Sequence, residues 1–166
     1  MRFNRQMQRH LRELQSKELE LALDPGFAGR APLALEEVEE LVLLSRPARA
    51  WRSRLAAFSD RTNLECTANK LSVGELLDPR LSRAAPLLLL TAGLVLAERL
   101  PRELARFPGR FNIILSYDGE SCALRFHRIR EGESWLHEDL EEYDEEGVLV
   151  CESGTASEDA LRLLGS

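Results

Sequence analysis

The sequence predicts an α+β fold: a helical N-terminal two thirds packed on a small antiparallel sheet, with a C-terminal helix. Three observations carry that expectation. Apolar residues recur at helical intervals from Phe3 to Leu100, then alternate with polar ones from Phe111 to Phe126, and Thr155-Ala156-Ser157-Glu158 has capping-box spacing ahead of Ala160, Leu161 and Leu164. Helices, then strands, then one helix is the order of an α+β chain rather than of alternating βα units.

In chain order, Phe3, Met7, Leu11 and Leu14 mark an amphipathic N-terminal helix whose other faces carry arginines. Leu19, Leu21 and Leu23 alternate with Glu18, Glu20 and Ala22, so residues 18–23 read either as a strand or as more helix up to Asp24-Pro25-Gly26. Leu35, Val38, Leu41 and Val42 predict a helix with Glu36, Glu37, Glu39 and Glu40 on its far side, ended by Ser45, and Trp51, Leu55 and Phe58 predict another. Residues 59–69 read as a loop that carries Cys66 inward. Ser72-Val73-Gly74-Glu75 has capping-box spacing for a short helix before Pro79. Ser82 and Pro86 fit the start of a central helix that is apolar on nearly every side through Leu96 and broken at Pro101.

The hairpin is the best-specified element. A two-residue turn at Asp118-Gly119 pairs Leu115 with Cys122, Ile113 with Leu124 and Phe111 with Phe126, placing all three pairs on one buried face. Val148-Leu149-Val150-Cys151 adds another strand. With 166 residues and 44% hydrophobic content, the chain supports one core and not two, so residues 1–166 read as a single domain.

A net charge of −6 argues against nucleic acid or an anionic membrane as partner, because both need a basic footprint. The imbalance is local: residues 1–83 hold 14 basic and 12 acidic side chains, residues 84–166 hold 8 and 16. The N-terminus has no apolar signal-like core, and the 14-residue apolar run from Ala84 to Ala97 is too short for a bilayer helix. Cys66, Cys122 and Cys151 are widely spaced and odd in number, which fits buried free thiols in a reducing, cytoplasmic setting.

Function is expected to lie in the acidic segment. Nine carboxylates fall between Glu131 and Glu146 with no Lys or Arg among them, and Trp135, Leu136, Leu140 and Tyr143 punctuate the charge. Like charges so dense ask for a basic partner or for plain solvation, and aromatic residues ringed by carboxylates have the make-up of an interface hot spot. Trp135, Leu136 and Leu140 serve equally as anchors that leave only the carboxylates outside. Arg2, Arg5, Arg9, Arg12 and Lys17 are expected to form a solvated face that complements this segment within the chain or across a homodimer. His127 and His137 could supply ligands or an acid/base pair, but their spacing matches no metal or nucleophile motif. No catalytic residue, metal or cofactor is therefore predicted.

The string Phe126-His127-Arg128-Ile129-Arg130-Glu131-Gly132-Glu133-Ser134-Trp135-Leu136, followed by Asp139-Leu140-Glu141 and Tyr143, resembles segments of bacterial immunity proteins of contact-dependent inhibition and related polymorphic-toxin systems. The resemblance spans residues 110–152. It implies a cytoplasmic protein, monomer or homodimer, that blocks one toxin domain through an acidic surface facing a basic cleft. The candidate contacts are Glu133, Trp135, His137, Glu138, Asp139, Glu141, Glu142, Tyr143, Asp144, Glu145 and Glu146. The competing expectation is a small acidic secretion chaperone, which would need apolar grooves for its client.

Overall fold

The protein is described here by a computed structural model, covering residues 1–16, 23, 27, 33–45, 58 and 60–153. The class is α+β, but the chain is not helical through its first two thirds. Its order is β1 (Arg2–Phe3), α1 (Arg5–Ser16), β2 (Leu35–Val38), β3 (Leu41–Leu44), α2 (Arg61–Ala68), β4 (Leu71–Ser72), α3 (Pro79–Ala84), α4 (Leu87–Leu104), β5 (Phe111–Tyr117), β6 (Cys122–Arg128) and β7 (Gly147–Glu152). Short 3-10 turns occupy Val73–Leu76 and Leu140–Glu142.

Five strands form an antiparallel sheet in the order β1-β7-β5-β6-β4, and β2 and β3 form a separate hairpin. The inner face of the large sheet carries Phe111, Ile113, Leu115, Tyr117, Cys122, Leu124 and Phe126 into the main core with Met7, Leu11 and Leu14 of α1 and most of α4. Helix α4 seats closely at Gly93, where a Cβ would come within 2.7 Å of Cys122 Sγ and Leu115 Cδ1. No helix among the described residues is long and apolar enough to cross a membrane.

The segment predicted as a helix over 35–42 is instead the β2–β3 hairpin, paired Leu35 with Leu44 through Val38 with Leu41. Glutamates at helical spacing hid a two-residue turn: Glu39 and Glu40 both lie at positive φ, 52° and 67°, as a twisted tight hairpin requires. All of β3 is buried, Val42 and Leu44 toward the main core and Leu41 and Leu43 toward Leu64 and Ala68 of α2. A strand buried on both faces shows no alternation, which is why it reads as a helical stripe.

Residues 61–68, expected to be loop, form α2. Asp60 caps it by accepting the Asn63 N–H at 2.7 Å. The inward position expected for Cys66 holds. Phe3 leaves the predicted N-terminal helix for β1, and Asn4 caps α1 by accepting the Met7 N–H at 2.9 Å. Ser72 makes no side-chain capping bond to the 3-10 turn after it, so its capping box does not form. Ser82, expected to open the central helix, lies inside α3, which Asp78 caps, and the central helix α4 has Pro86 at its N-cap. Pro101 sits inside α4, which runs on through Leu104, with the Ala105 N–H reaching the Pro101 carbonyl at 3.0 Å. Proline removes one donor, and so near a helix end the turn survives it.

The β5–β6 hairpin forms with the expected inner face but a register displaced by two: Tyr117 pairs with Cys122, Leu115 with Leu124 and Ile113 with Phe126. Asp118 lengthens the loop to four residues. Its Oδ1 accepts the Glu120 and Ser121 N–H groups at 2.8 and 2.6 Å, while its Oδ2 accepts the Ser121 hydroxyl at 2.7 Å. A shift of two preserves the face, so the buried set survives the error. The strand-or-helix choice at 18–23 (Leu23 apart), the helix at Trp51 and Leu55, and the C-terminal helix after Thr155 lie outside the described residues.

Candidate functional site

The acidic segment crosses the outer face of the large sheet. Leu140 is buried with Ile114, Val148, Val150 and Cys66, and Trp135, Leu136 and Tyr143 pack against this group half-buried. Arg125, on the same sheet face, holds its guanidinium 5.7 Å from the Trp135 ring centre. Trp135 is thus both an anchor and partly accessible.

Asn4 pins the far end of the segment. It is 1% exposed; its Nδ2 donates to the carbonyls of Tyr143 and Glu146, both at 2.8 Å, and its Oδ1 accepts from Met7 and Val148. One side chain therefore caps α1 and fastens the segment to β7. Arg5 lies beside it and pairs with Glu141 at 3.5 Å, while Arg2 donates to the Glu138 carbonyl at 3.4 Å. The charge complement expected between the N-terminal arginines and the acidic segment is present within the chain at Arg5.

The eleven candidate residues separate into groups. Glu133 accepts the Thr62 N–H at 3.0 Å, placing its charge at the N-terminus of α2 as a structural contact. Asp139 caps its own 3-10 turn through the Glu141 N–H, and His137 Nδ1 lies 3.2 Å from Glu142 while its N–H donates to the Tyr143 hydroxyl. Glu138, Asp144 and Glu145 are exposed, Glu146 is half-buried, and these four carboxylates have no cationic partner among the described residues. Asp118, Glu142, Tyr143, Asp144, Glu145 and Glu146 line an open cavity of about 310 Å³.

The two histidines, separated by ten residues of sequence, meet at a second cavity of about 360 Å³, together with Arg2, Asn112, Ser134 and Glu138. His127 is 3% exposed, and burial holds its imidazole below its ordinary pKa, against the opposing pull of the Arg128 carbonyl. The acidic segment covers this strand face. Among the described residues no group of three or more His, Cys, Asp or Glu is placed to hold a metal ion. The thiols are also sequestered, with burial pushing Cys122 to about 12 and raising Cys66.

A family model described as the uncharacterized protein PM0498 family matches residues 2–160. The chain belongs to that family. No curated protein and no solved structure matches it. In this PM0498-family chain the matched span contains α1, Asn4, both sheets and the whole acidic segment.

Sequence reasoning missed a second charged assembly. Glu65 of α2, fully buried, receives Arg130 in a fork at 2.9 and 3.1 Å and also accepts the Val42 and Arg128 N–H groups at 2.8 and 2.7 Å. One turn on, Asn69 accepts the Leu44 N–H and donates to the Val42 and Phe126 carbonyls. These two residues bind the small hairpin to the large sheet. Around them Arg128 pairs with Glu37 at 2.7 Å, Arg61 pairs with Glu40, and Arg128 and Arg130 both donate to the Glu40 carbonyl. The only sequence signal was a glutamate and an asparagine four residues apart, on one face of a helix not recognised as such.

Proposed function

We propose that the chain is a cytoplasmic immunity protein that occludes a cognate bacterial toxin domain, with the acidic segment as its binding face. The observation that supports this reading is that Glu138, Asp144, Glu145 and Glu146 have no cationic partner among the described residues and stand on a segment held in place by Leu140, Trp135, Tyr143 and Asn4. Solvation alone does not call for so many anchors. A basic cleft offered to pre-positioned carboxylates gains charge neutralisation with little ordering cost, and such complementarity speeds encounter as well as selecting the partner. Trp135 and Tyr143 would supply the partly buried aromatic contacts.

The chaperone alternative has less support, since among the described residues the large hydrophobic side chains that are exposed are Met1 and Leu81. The test starts from the neighbouring genes: if one of them encodes a toxin domain, that domain is co-expressed with the chain, and if none does the immunity assignment loses its partner. Wild type should protect the cells. Replacing Glu138, Asp144, Glu145 and Glu146 with lysine should slow association about 10-fold or more and abolish protection without lowering the melting midpoint. Absence of protection by the wild type would remove the immunity assignment, whereas full protection by the variant would remove only these four residues from the interface.

A further inference from the structure

We propose that the cavity between the acidic segment and the outer sheet face at His127 is a binding site for a small amino or hydroxy carboxylic acid. The inference stands apart from the toxin-binding reading, because the floor of the cavity carries it and only Glu138 among the exposed carboxylates is shared, as the contact that ranks one ligand above another. The floor is built from β5 and β6: Asn112 and His127 are direct partners across the two strands. The roof is Ser134, Leu136, His137 and Glu138, and Arg2 of β1 stands at the side with Val150. At about 360 Å³ the space matches one small metabolite.

Three features select its chemistry. His127 Nδ1 lies 2.9 Å from the Arg128 carbonyl oxygen, which can only accept, so the proton resides on Nδ1 and Nε2 presents a lone pair. The nearest donor to that lone pair, Asn112 Nδ2, is at 3.5 Å, the outer limit of a hydrogen bond. A nearly buried acceptor is thus left with capacity for a better donor. Arg2 reaches the Glu138 carbonyl at 3.4 Å through one guanidinium nitrogen, and it has further N–H groups for an anion. Glu138 lines the same cavity and has no cationic partner among the described residues.

A ligand that satisfies all of them carries a carboxylate for Arg2 and, on an adjacent carbon, an amine or hydroxyl that donates to His127 Nε2. An ammonium group also meets Glu138, so the amino acid should bind more tightly than its hydroxy analogue. A simple carboxylate without the donor should bind least.

The experiment follows the His127 ring nitrogens by NMR in the ¹⁵N-histidine-labelled full chain, titrated separately with L-serine, L-lactate and acetate to about 10 mM, a range that detects millimolar affinity. The free protein should show the Nδ1–H tautomer. L-serine should move Nε2 most, L-lactate less and acetate least. Arg2→Gln, at an exposed position, should weaken the L-serine response about 10-fold with the fold unchanged. No response of Nε2 to any of the three would overturn the proposal. So would equal responses to all three, which indicate a nonspecific anion effect, or an L-serine response indifferent to Arg2→Gln.

Discussion

The junction around Glu65 and the segment from Glu131 to Glu146 are both dense in charge, yet they use it in opposite ways. At the junction each Glu65 oxygen meets an arginine nitrogen and a backbone N–H, and Glu37 and Glu40 each find their own arginine. On the segment, apolar anchors and Asn4 hold the backbone, and carboxylates such as Asp144 and Glu145 are left unpaired among the described residues. Charge content alone does not distinguish scaffold from site. Pairing does, because a buried ion pair is tolerated only when fully satisfied, while an unpaired carboxylate persists where water or a partner can reach it.

The largest test of this contrast is Glu65→Ala. It strands Arg130 partly buried and leaves the Val42 and Arg128 N–H groups without acceptors, so the loss should be about 3–5 kcal/mol in chemical denaturation. A loss under about 1 kcal/mol would mean that the apolar contacts of Leu41 and Leu43 on α2 hold the hairpin unaided.

Asn4→Ala carries the same logic to the segment. Two buried N–H groups lose their acceptor and the Tyr143 and Glu146 carbonyls lose their donor, so a loss of about 3 kcal/mol is expected. Hydrogen exchange should rise first across residues 140–148. If exchange rises uniformly instead, Asn4 serves the whole sheet and is no specific fastener of the segment.

How far these features can be read in the sequence follows from how local they are. The β5–β6 hairpin shows because its alternation is contained in 18 residues, and the acidic run shows because it is contiguous. The hairpin register failed on one side chain, Asp118, whose capping bonds favour a longer loop. Helix α2 was hidden because its polar residues face inward: Thr62, Glu65 and Asn69 are buried and hydrogen-bonded, yet in a sequence they look like loop. Asn4 announces a helix start, but nothing local shows that its partners lie about 140 residues away. The cavity that unites His127 and His137 was equally hidden, since it exists only because the segment folds back over β5 and β6.

A smaller effect comes from two histidines. Burial holds both His10 and His127 below the 6.5 of an unfolded chain; Glu13 and Asp118 moderate this near His10, while near His127 the Arg128 carbonyl, Glu65 and Glu133 moderate it and Arg130 adds to it. The unfolded state therefore takes up protons first. Stability should be complete above pH 6.5, fall as pH drops below it, and level off once the folded histidines also protonate. His10 Nε2 is buried beside the Tyr117 ring at 4.8 Å without a hydrogen-bond partner among the described residues, so protonation there finds no acceptor among them. His10→Gln with His127→Gln should flatten the profile between pH 7 and pH 5. An unchanged slope would assign the acid sensitivity to carboxylates instead.

The smallest effect differs in sign between paired and unpaired carboxylates. Asp144→Asn, Glu145→Gln and Glu146→Gln together remove repulsion and break no ion pair among the described residues, so thermal stability should rise by up to about 0.5 kcal/mol. Glu141→Gln loses the contact with Arg5, and stability should fall by a similarly small amount. Salt separates repulsion from simple tolerance. Raising ionic strength should stabilise the wild type through this segment and should stabilise the triple variant less, because its repulsion is already gone. A triple variant that is less stable at every salt concentration would show that these carboxylates support the fold, and would remove the reason to regard them as a surface held ready for a partner.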